Sequence, residues 1–162
     1  MIDFPALLRA LAESRVEFII VGGVAATIHG SARVTHDLDL VYSRTEQNLV
    51  RLAAALEPEH PYLRGAPPGL PFRWNVETLR RGLNFTLQTD LGDLDLLGEI
   101  TGGGGYPQLW PHSVEVQAFG NRYHCLDLET LIRVKRAAGR PRDLDAIAEL
   151  RAIQQERRKP AS

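Results

Sequence analysis

The hydrophobic positions of the chain follow two periods. Near the N-terminus Leu7, Leu8, Leu11 and Ala12 recur at helical spacing, with Asp3 placed to cap the helix and Pro5 in its first turn. Glu17-Phe18-Ile19-Ile20-Val21 is an apolar run that stops at glycine, which predicts a buried strand. A short helix is expected from Val24 to His29, entered at Gly22-Gly23 and closed by Gly30. After a loop over 31–36, Asp37 to Tyr42 reads as a second strand. Strand side chains alternate, so Leu38, Leu40 and Tyr42 share one face, and Asp37, Asp39 and Val41 share the other. Thr45 to Leu56 returns to the helical period, with Leu49, Leu52, Ala53 and Leu56 as its apolar stripe.

The pattern then breaks. Residues 57–74 carry five prolines and two glycines, and they read as an irregular loop long enough to form a functional surface. Leu83 to Thr89 and Gly92 to Ile100 predict a strand hairpin, and Gly102 to Gly105 a flexible joint. Ser113 to Phe119 alternates as a strand, Gly120-Asn121 turns, and Arg122 to Cys125 returns. Asp127 caps a helix running to Ala138, Gly139 stops it, and Pro141 opens a last helix to Arg158. Strands and helices interleave without a strict βαβ repeat. The expected fold is therefore α+β (mixed α/β): one domain over residues 1–158 with a small mixed sheet, and a disordered tail at 159–162.

Composition narrows the function classes. Apolar residues are 44% and charged residues 24% of the 162, the balance of a globular domain with a real core. A net charge of −1 does not announce a nucleic-acid protein. The single cysteine, Cys125, rules out an internal disulfide and fits a reducing cytoplasm. Met1 to Pro5 has no basic region before a long apolar run, so no signal peptide is expected, and no run is long enough to span a bilayer. Neither CxxC nor HExxH occurs, and Gly102 to Gly105 lacks the Gly-Lys-Ser/Thr ending of a P-loop.

The chemistry concentrates between Gly22 and Leu40. Asp37 and Asp39 project from one strand face, where two carboxylates repel unless a cation joins them. Mg²⁺ suits such a pair, because it takes oxygen ligands from one or two carboxylates and from substrate phosphates. Solvated aspartates on an exposed strand are the plain alternative. Gly22 and Gly23 stand where a strand becomes a helix, a place that admits close approach of an anion or only makes a tight turn. Arg33 and Thr35 lie in the loop before the aspartates, and an arginine there can fork onto phosphate or simply face solvent.

This combination, Gly-Gly, a short helix and Asp-Leu-Asp-Leu, resembles the signature of the nucleotidyltransferase superfold of DNA polymerase beta. It is most similar to small bacterial AbiEii-type nucleotidyltransferases of toxin–antitoxin systems. The resemblance implies a third acidic residue on a neighbouring strand. Asp93 and Asp95 in Gly92-Asp93-Leu94-Asp95-Leu96 share one parity. Asp95 lies inside the apolar strand and is preferred, with Asp93 as the alternate. The resemblance further implies a C-terminal helix pair whose lysine meets nucleotide phosphates, here Lys135, followed by an aspartate, here Asp143. Lys135 independently continues the inward face of Leu128, Leu131 and Ile132, although a lysine there can also snorkel. Asp143 can equally be an acid stabilising its helix N-terminus.

The expected activity is transfer of an NMP from an NTP to a hydroxyl acceptor, with tRNA or protein as the acceptor and a cognate toxin or antitoxin as partner. Asp37, Asp39 and Asp95 would hold two Mg²⁺ ions, with Mn²⁺ as substitute, and Asp95 would help deprotonate the acceptor. Gly22, Gly23, Arg33, Thr35, Lys135 and Asp143 would bind the nucleotide. Arg64, Arg73 and Trp74 of the Pro-rich stretch would contribute to an acceptor surface, with plain packing the simpler expectation for Trp74. The competing reading is a catalytically inactive binding module or antitoxin partner with the same fold. A third possibility is an enzyme acting on an antibiotic or sugar. Many relatives carry Gly-Ser where this chain has Gly22-Gly23, so a hydroxyl contact to phosphate would have to come from Thr35 or Ser31.

Overall fold

A computed structural model describes residues 2–160. Helix α1 (Phe4–Glu13) starts where the Asp3 carboxylate accepts the Ala6 N–H at 3.0 Å, and it buries Leu7, Leu8 and Leu11. Strand β1 (Phe18–Val21) is buried along its whole length and runs directly into α2 (Gly22–Ile28). Strand β2 (Asp37–Tyr42) and helix α3 (Glu46–Leu56, capped by Thr45) match the expected bounds to within a residue.

The Pro-rich stretch is more ordered than its composition predicts. It holds a short 3₁₀ turn (Glu57–Glu59) and a two-residue edge strand, β3 (Tyr62–Leu63). Prolines confine the strand to two residues but do not prevent pairing at a sheet edge. Helix α4 (Val76–Arg81), capped by Asn75, follows. Strands β4 (Phe85–Thr89) and β5 (Gly92–Leu97) form the expected hairpin. The glycine run is not a free joint. Its second half forms β7 (Gly104–Gly105), which pairs with β6 (Glu99–Ile100). Helix α5 (Tyr106–Leu109), β8 (Ser113–Ala118), β9 (Asn121–Leu126), α6 (Leu128–Ala138) and α7 (Pro141–Arg158) complete the chain. Gly139 ends α6 at φ +67°, a left-handed cap that a residue with a Cβ adopts at a cost. Of the expected disordered tail, Lys159 pairs with Glu156, and 161–162 lie outside the described residues.

Seven strands form one mixed sheet in the order β3-β4-β5-β2-β1-β9-β8, flanked by the helices. β2 pairs antiparallel with β1 and parallel with β5. Leu38, Leu40, Leu94 and Leu96 are fully buried on the core face. The face carrying Asp37 and Asp39 is met instead by the start of α2 and by Lys135 of α6. No described helix is long and apolar enough to cross a membrane.

Candidate active site

The parallel register of β2 and β5 sets Asp37 opposite Asp93 and Asp39 opposite Asp95. Four carboxylates therefore occupy a two-by-two grid on one sheet face, with like charges directly across the strands, an arrangement that costs stability unless cations compensate it. Within this grid Asp37, Asp39 and Asp95 each bring one oxygen to within 4.8 Å of the others. Asp93, the alternate, does not join that cluster. Its carboxylate lies 3.4 Å from Arg64 Nε instead.

The electrostatics of the cluster are those of a site short of positive charge. Burial, then the adjacent Asp95 carboxyl and the Asp37 charge, push Asp39 up to about 8, against the pull of Lys135. Asp37 is raised by burial and by Asp95, with Arg64 acting in the opposite sense. One Asp39 oxygen, Oδ1, is buried with no hydrogen-bond partner. A buried acceptor left unpaired beside two further carboxylates fits a divalent cation, whose oxygen ligands are of this kind.

The glycines take on a specific steric meaning. Gly22 has φ +65°, and a Cβ there would overlap the Asp39 carboxylate. A Cβ on Gly23 would come within 2.6 Å of Thr35 Oγ1. The pair thus clears space for Asp39 and for the loop before β2 as well as lining the cavity. Thr35 in turn donates its hydroxyl to the Asp37 carbonyl at 3.1 Å, which fixes the entry into β2.

A cavity of about 460 Å³ opens over these groups, and Gly22, Gly23, Arg33, Thr35, Lys135 and Asp143 all line it together with the three clustered aspartates. Lys135 is lowered by burial, with Asp143 and Asp39 pulling the other way. Asp143 is only 3% exposed. Burial disfavours its charge, but bonds from Arg140 outweigh this and hold the carboxyl below its ordinary value. Arg140 donates its backbone N–H at 3.2 Å and its Nε at 2.7 Å to Asp143, so this aspartate closes the first turn of α7 and fixes an arginine at the cavity. Asp143 thus acts as the expected helix N-terminal acid and also lines the cavity.

Two features escaped the sequence reading: Glu149 and the destination of Arg64. Glu149 accepts from Ser31 Oγ and the Ala32 N–H and lies 3.6 Å from Arg33, so it ties the loop before β2 to α7. It follows Asp143 and Ala146 at helical spacing, a periodicity that marks it as part of the same face. From Arg133 to Arg142 the sequence holds five basic residues and no acid, a charge that suits a polyanion; Arg140 and Arg142 of this stretch line the cavity, whereas Arg133 and Arg136 line a separate groove with Arg151 and Arg158. Arg64 reaches the carboxylates rather than an acceptor surface, donating to Asp95 Oδ1 at 2.8 Å. Trp74 donates its indole N–H to the Ala53 carbonyl at 2.9 Å and packs, partly buried, against the core.

Among solved structures, the chain is similar to the lincosamide antibiotic adenylyltransferase LnuA in its lincomycin-bound form, with TM-score 0.61 and 16% identity over 94% of this chain and 98% of that one. The fold is that of the nucleotidyltransferases. Two further structures agree with it. A Thermotoga maritima protein described as a nucleotidyltransferase matches with TM-score 0.51 and 16% identity, over 96% of each chain. The antibiotic-resistance factor ANT(2'')-Ia matches with TM-score 0.52 and 17% identity, over 94% of this chain and 89% of that one. No protein-family model matches the chain, and no curated protein matches it in sequence. These similarities concern the nucleotidyltransferase fold and do not bear on the expected closeness to AbiEii-type proteins.

Proposed function

We propose that this protein is a metal-dependent nucleotidyltransferase that moves an NMP from an NTP to a hydroxyl acceptor. The observation that carries the reading is the convergence of Asp37, Asp39 and Asp95, one of whose oxygens is buried and unpartnered, at the floor of a cavity walled by Arg33, Lys135, Arg140 and Arg142. Carboxylates beside several fixed cations suit a metal–triphosphate, and neither half of that arrangement suits a neutral ligand. The nucleotidyltransferase fold supports the same reading.

In this scheme Asp37, Asp39 and Asp95 hold one or two Mg²⁺ or Mn²⁺ ions. When bound, the metal supplies Lewis-acid stabilisation of the charge on the transferring phosphoryl group. Arg33, Lys135 and Arg140 hold the β- and γ-phosphates, with the Gly22 and Gly23 amides at the strand-to-helix turn. The acceptor oxygen attacks the α-phosphorus as the bond to pyrophosphate breaks. Asp95 would help to deprotonate the acceptor hydroxyl. Catalysis is then mainly positioning and charge stabilisation by residues already in place.

The acceptor is the open part of the reading. The resemblance to AbiEii-type proteins implies tRNA or protein within a toxin–antitoxin pair, although the sequence holds no acceptor motif. The lincosamide adenylyltransferase and the antibiotic-resistance factor favour a hydroxylated small molecule. Beside the first cavity lies another of about 440 Å³, sharing Asp39 and Lys135 with it and lined by Asn84, Leu97, Glu99 and Ile100. Its size is that of a small-molecule pocket, which supports the latter class. The test is turnover of α-labelled NTP with Mg²⁺ against lincosamide and aminoglycoside antibiotics, bulk tRNA and protein. Label should move to one acceptor class and stop with Asp39→Asn; transfer that persists in that variant overturns the proposal.

A further inference from the structure

Arg64 follows the short edge strand β3, and its side chain crosses β4 to reach the carboxylates. Its Nε and Nη2 both donate to the Leu87 carbonyl, at 3.2 and 2.8 Å, and Nη2 also donates to Asp95 Oδ1. Leu87 is itself fully buried in the sheet. The guanidinium is therefore clamped to the backbone and cannot swing away without losing two hydrogen bonds. From this position its nitrogens face three of the four carboxylates: Asp95 at 2.8 Å, Asp93 at 3.4 Å and Asp37 at 3.9 Å. Asp39, with its unpartnered oxygen, is the one it does not touch.

We propose that Arg64 is a built-in counter-cation, a positioning residue that stabilises the crowded carboxylates when no metal is bound and weakens their hold on a divalent ion. The inference rests on the reading of Asp37, Asp39 and Asp95 as metal ligands. A permanent positive charge within hydrogen-bond distance of a ligand carboxylate repels an incoming cation, while the same charge relieves repulsion in the empty grid. The two effects have opposite signs. A residue that merely props the strand would lower metal affinity and stability together.

The test is Arg64→Gln, assayed by Mn²⁺ titration with electron paramagnetic resonance detection and by thermal unfolding with and without Mn²⁺. The glutamine amide keeps polar contact with the Leu87 region but removes the charge. Mn²⁺ should bind about tenfold tighter or more than in the parent, while the metal-free melting temperature falls, so that the gap between metal-free and Mn²⁺-saturated melting widens. Arg64→Lys, which keeps the charge, should stay within about threefold of the parent affinity. Unchanged or weaker Mn²⁺ binding by Arg64→Gln overturns the proposal. If that variant folds only with Mn²⁺ present, the ion has replaced the missing charge and the proposal stands; failure to fold even with Mn²⁺ overturns it. Asp39→Asn separates the two readings. Mn²⁺ binding by the parent that survives Asp39→Asn, or no Mn²⁺ binding by any form, sinks the metal site itself. Equal binding by parent and Arg64→Gln, lost in Asp39→Asn, sinks only the role of Arg64.

Discussion

Asp39 concentrates the physical conflict of this molecule. It sits opposite Asp95, two positions from Asp37 and under the bare backbone of Gly22. Its folded-state value of about 8 stands well above the roughly 4 of an unfolded aspartate. The folded protein therefore keeps the Asp39 proton that the unfolded chain releases. Without metal, this contribution to stability is complete below about pH 4 and is lost as pH rises through about 8. Metal-free protein should melt at lower temperature at pH 8.5 than at pH 6, and Mg²⁺ should restore much of the loss. In Asp39→Asn the alkaline decline should flatten and Mg²⁺ should have little effect, as differential scanning fluorimetry across pH would register. Lys135 gives a complementary expectation. It lines the cavity beside Asp39 without being a ligand, so Lys135→Gln should raise the KM for NTP about tenfold or more while Mn²⁺ affinity changes little. The aspartates were legible in the sequence because strand alternation fixes the face of Asp37, Asp39, Asp93 and Asp95. The preference for Asp95 over Asp93 also rests on sequence, on the apolar neighbours of Asp95, and Asp95 is the one that joins Asp37 and Asp39 in the cluster; the approach of Arg64 across β4 leaves no local pattern.

Elements were legible wherever one face is buried and a cap marks the end. Asp3 and Asp127 each cap the helix expected of them, Thr45 caps the helix it was expected to begin, and β2 spans the residues its alternation predicts. Elements held by long-range polar contacts were not legible. Edge strand β3 and helix α4 are short, and the Pro-rich composition hides them. Asn48 is another example. Polar and fully buried in α3, it accepts from the Glu17 N–H at 2.7 Å and donates to the carbonyls of Glu17 and Ser43. It thereby joins α3 to the start of β1 and the end of β2. Asn48→Ala strands the Glu17 N–H and the Ser43 carbonyl, while the Glu17 carbonyl keeps its bond from the Ser43 N–H, and should cost about 3 kcal/mol in urea unfolding, with Asn48→Leu no better because the two backbone groups stay unpaired. His29 ties α2 to β9 and α7 in the same manner. Its Nε2 lies 2.7 Å from the Leu126 carbonyl, and Arg157 donates to Nδ1 at 3.1 Å, which places the proton on Nε2 and leaves the ring neutral. Burial lowers its value, the Leu126 carbonyl opposes this, and Arg157 reinforces it. Because the folded value lies below the ordinary 6.5, stability is complete above about pH 6.5 and declines as pH falls below it. Unfolding midpoints of the parent should drop between pH 6.5 and 5 by more than those of His29→Gln.

At the scale of the whole molecule, the site depends on a connection that periodicity does not encode. Asp39 and Asp95 are 56 positions apart in the chain and become neighbours only because β5 enters the sheet beside β2, parallel to it, after a long excursion through α3, α4 and β4. Lys135, Arg140 and Glu149 then arrive from the helix pair and close the other side of the cavity. Such an assembly binds metal and nucleotide as one unit, since triphosphate supplies the anions that the cations await, and the metal joins triphosphate to the aspartates. Ligand that binds only the folded state stabilises it by about 2.7 kcal/mol at a hundredfold excess over Kd. For a chain of this size that corresponds to a rise of roughly 5–10 °C in melting temperature. The shift should require NTP and Mg²⁺ together, be far smaller with NTP and a chelator, and vanish in Asp39→Asn. An inactive binding module of the same fold predicts a different pattern: no metal-dependent shift with any NTP, and stabilisation only by a co-purifying protein. The two patterns do not overlap, so one melting series on purified protein separates an intact metal–nucleotide site from one that keeps only its shape, and transfer itself is read by the labelled-NTP assay.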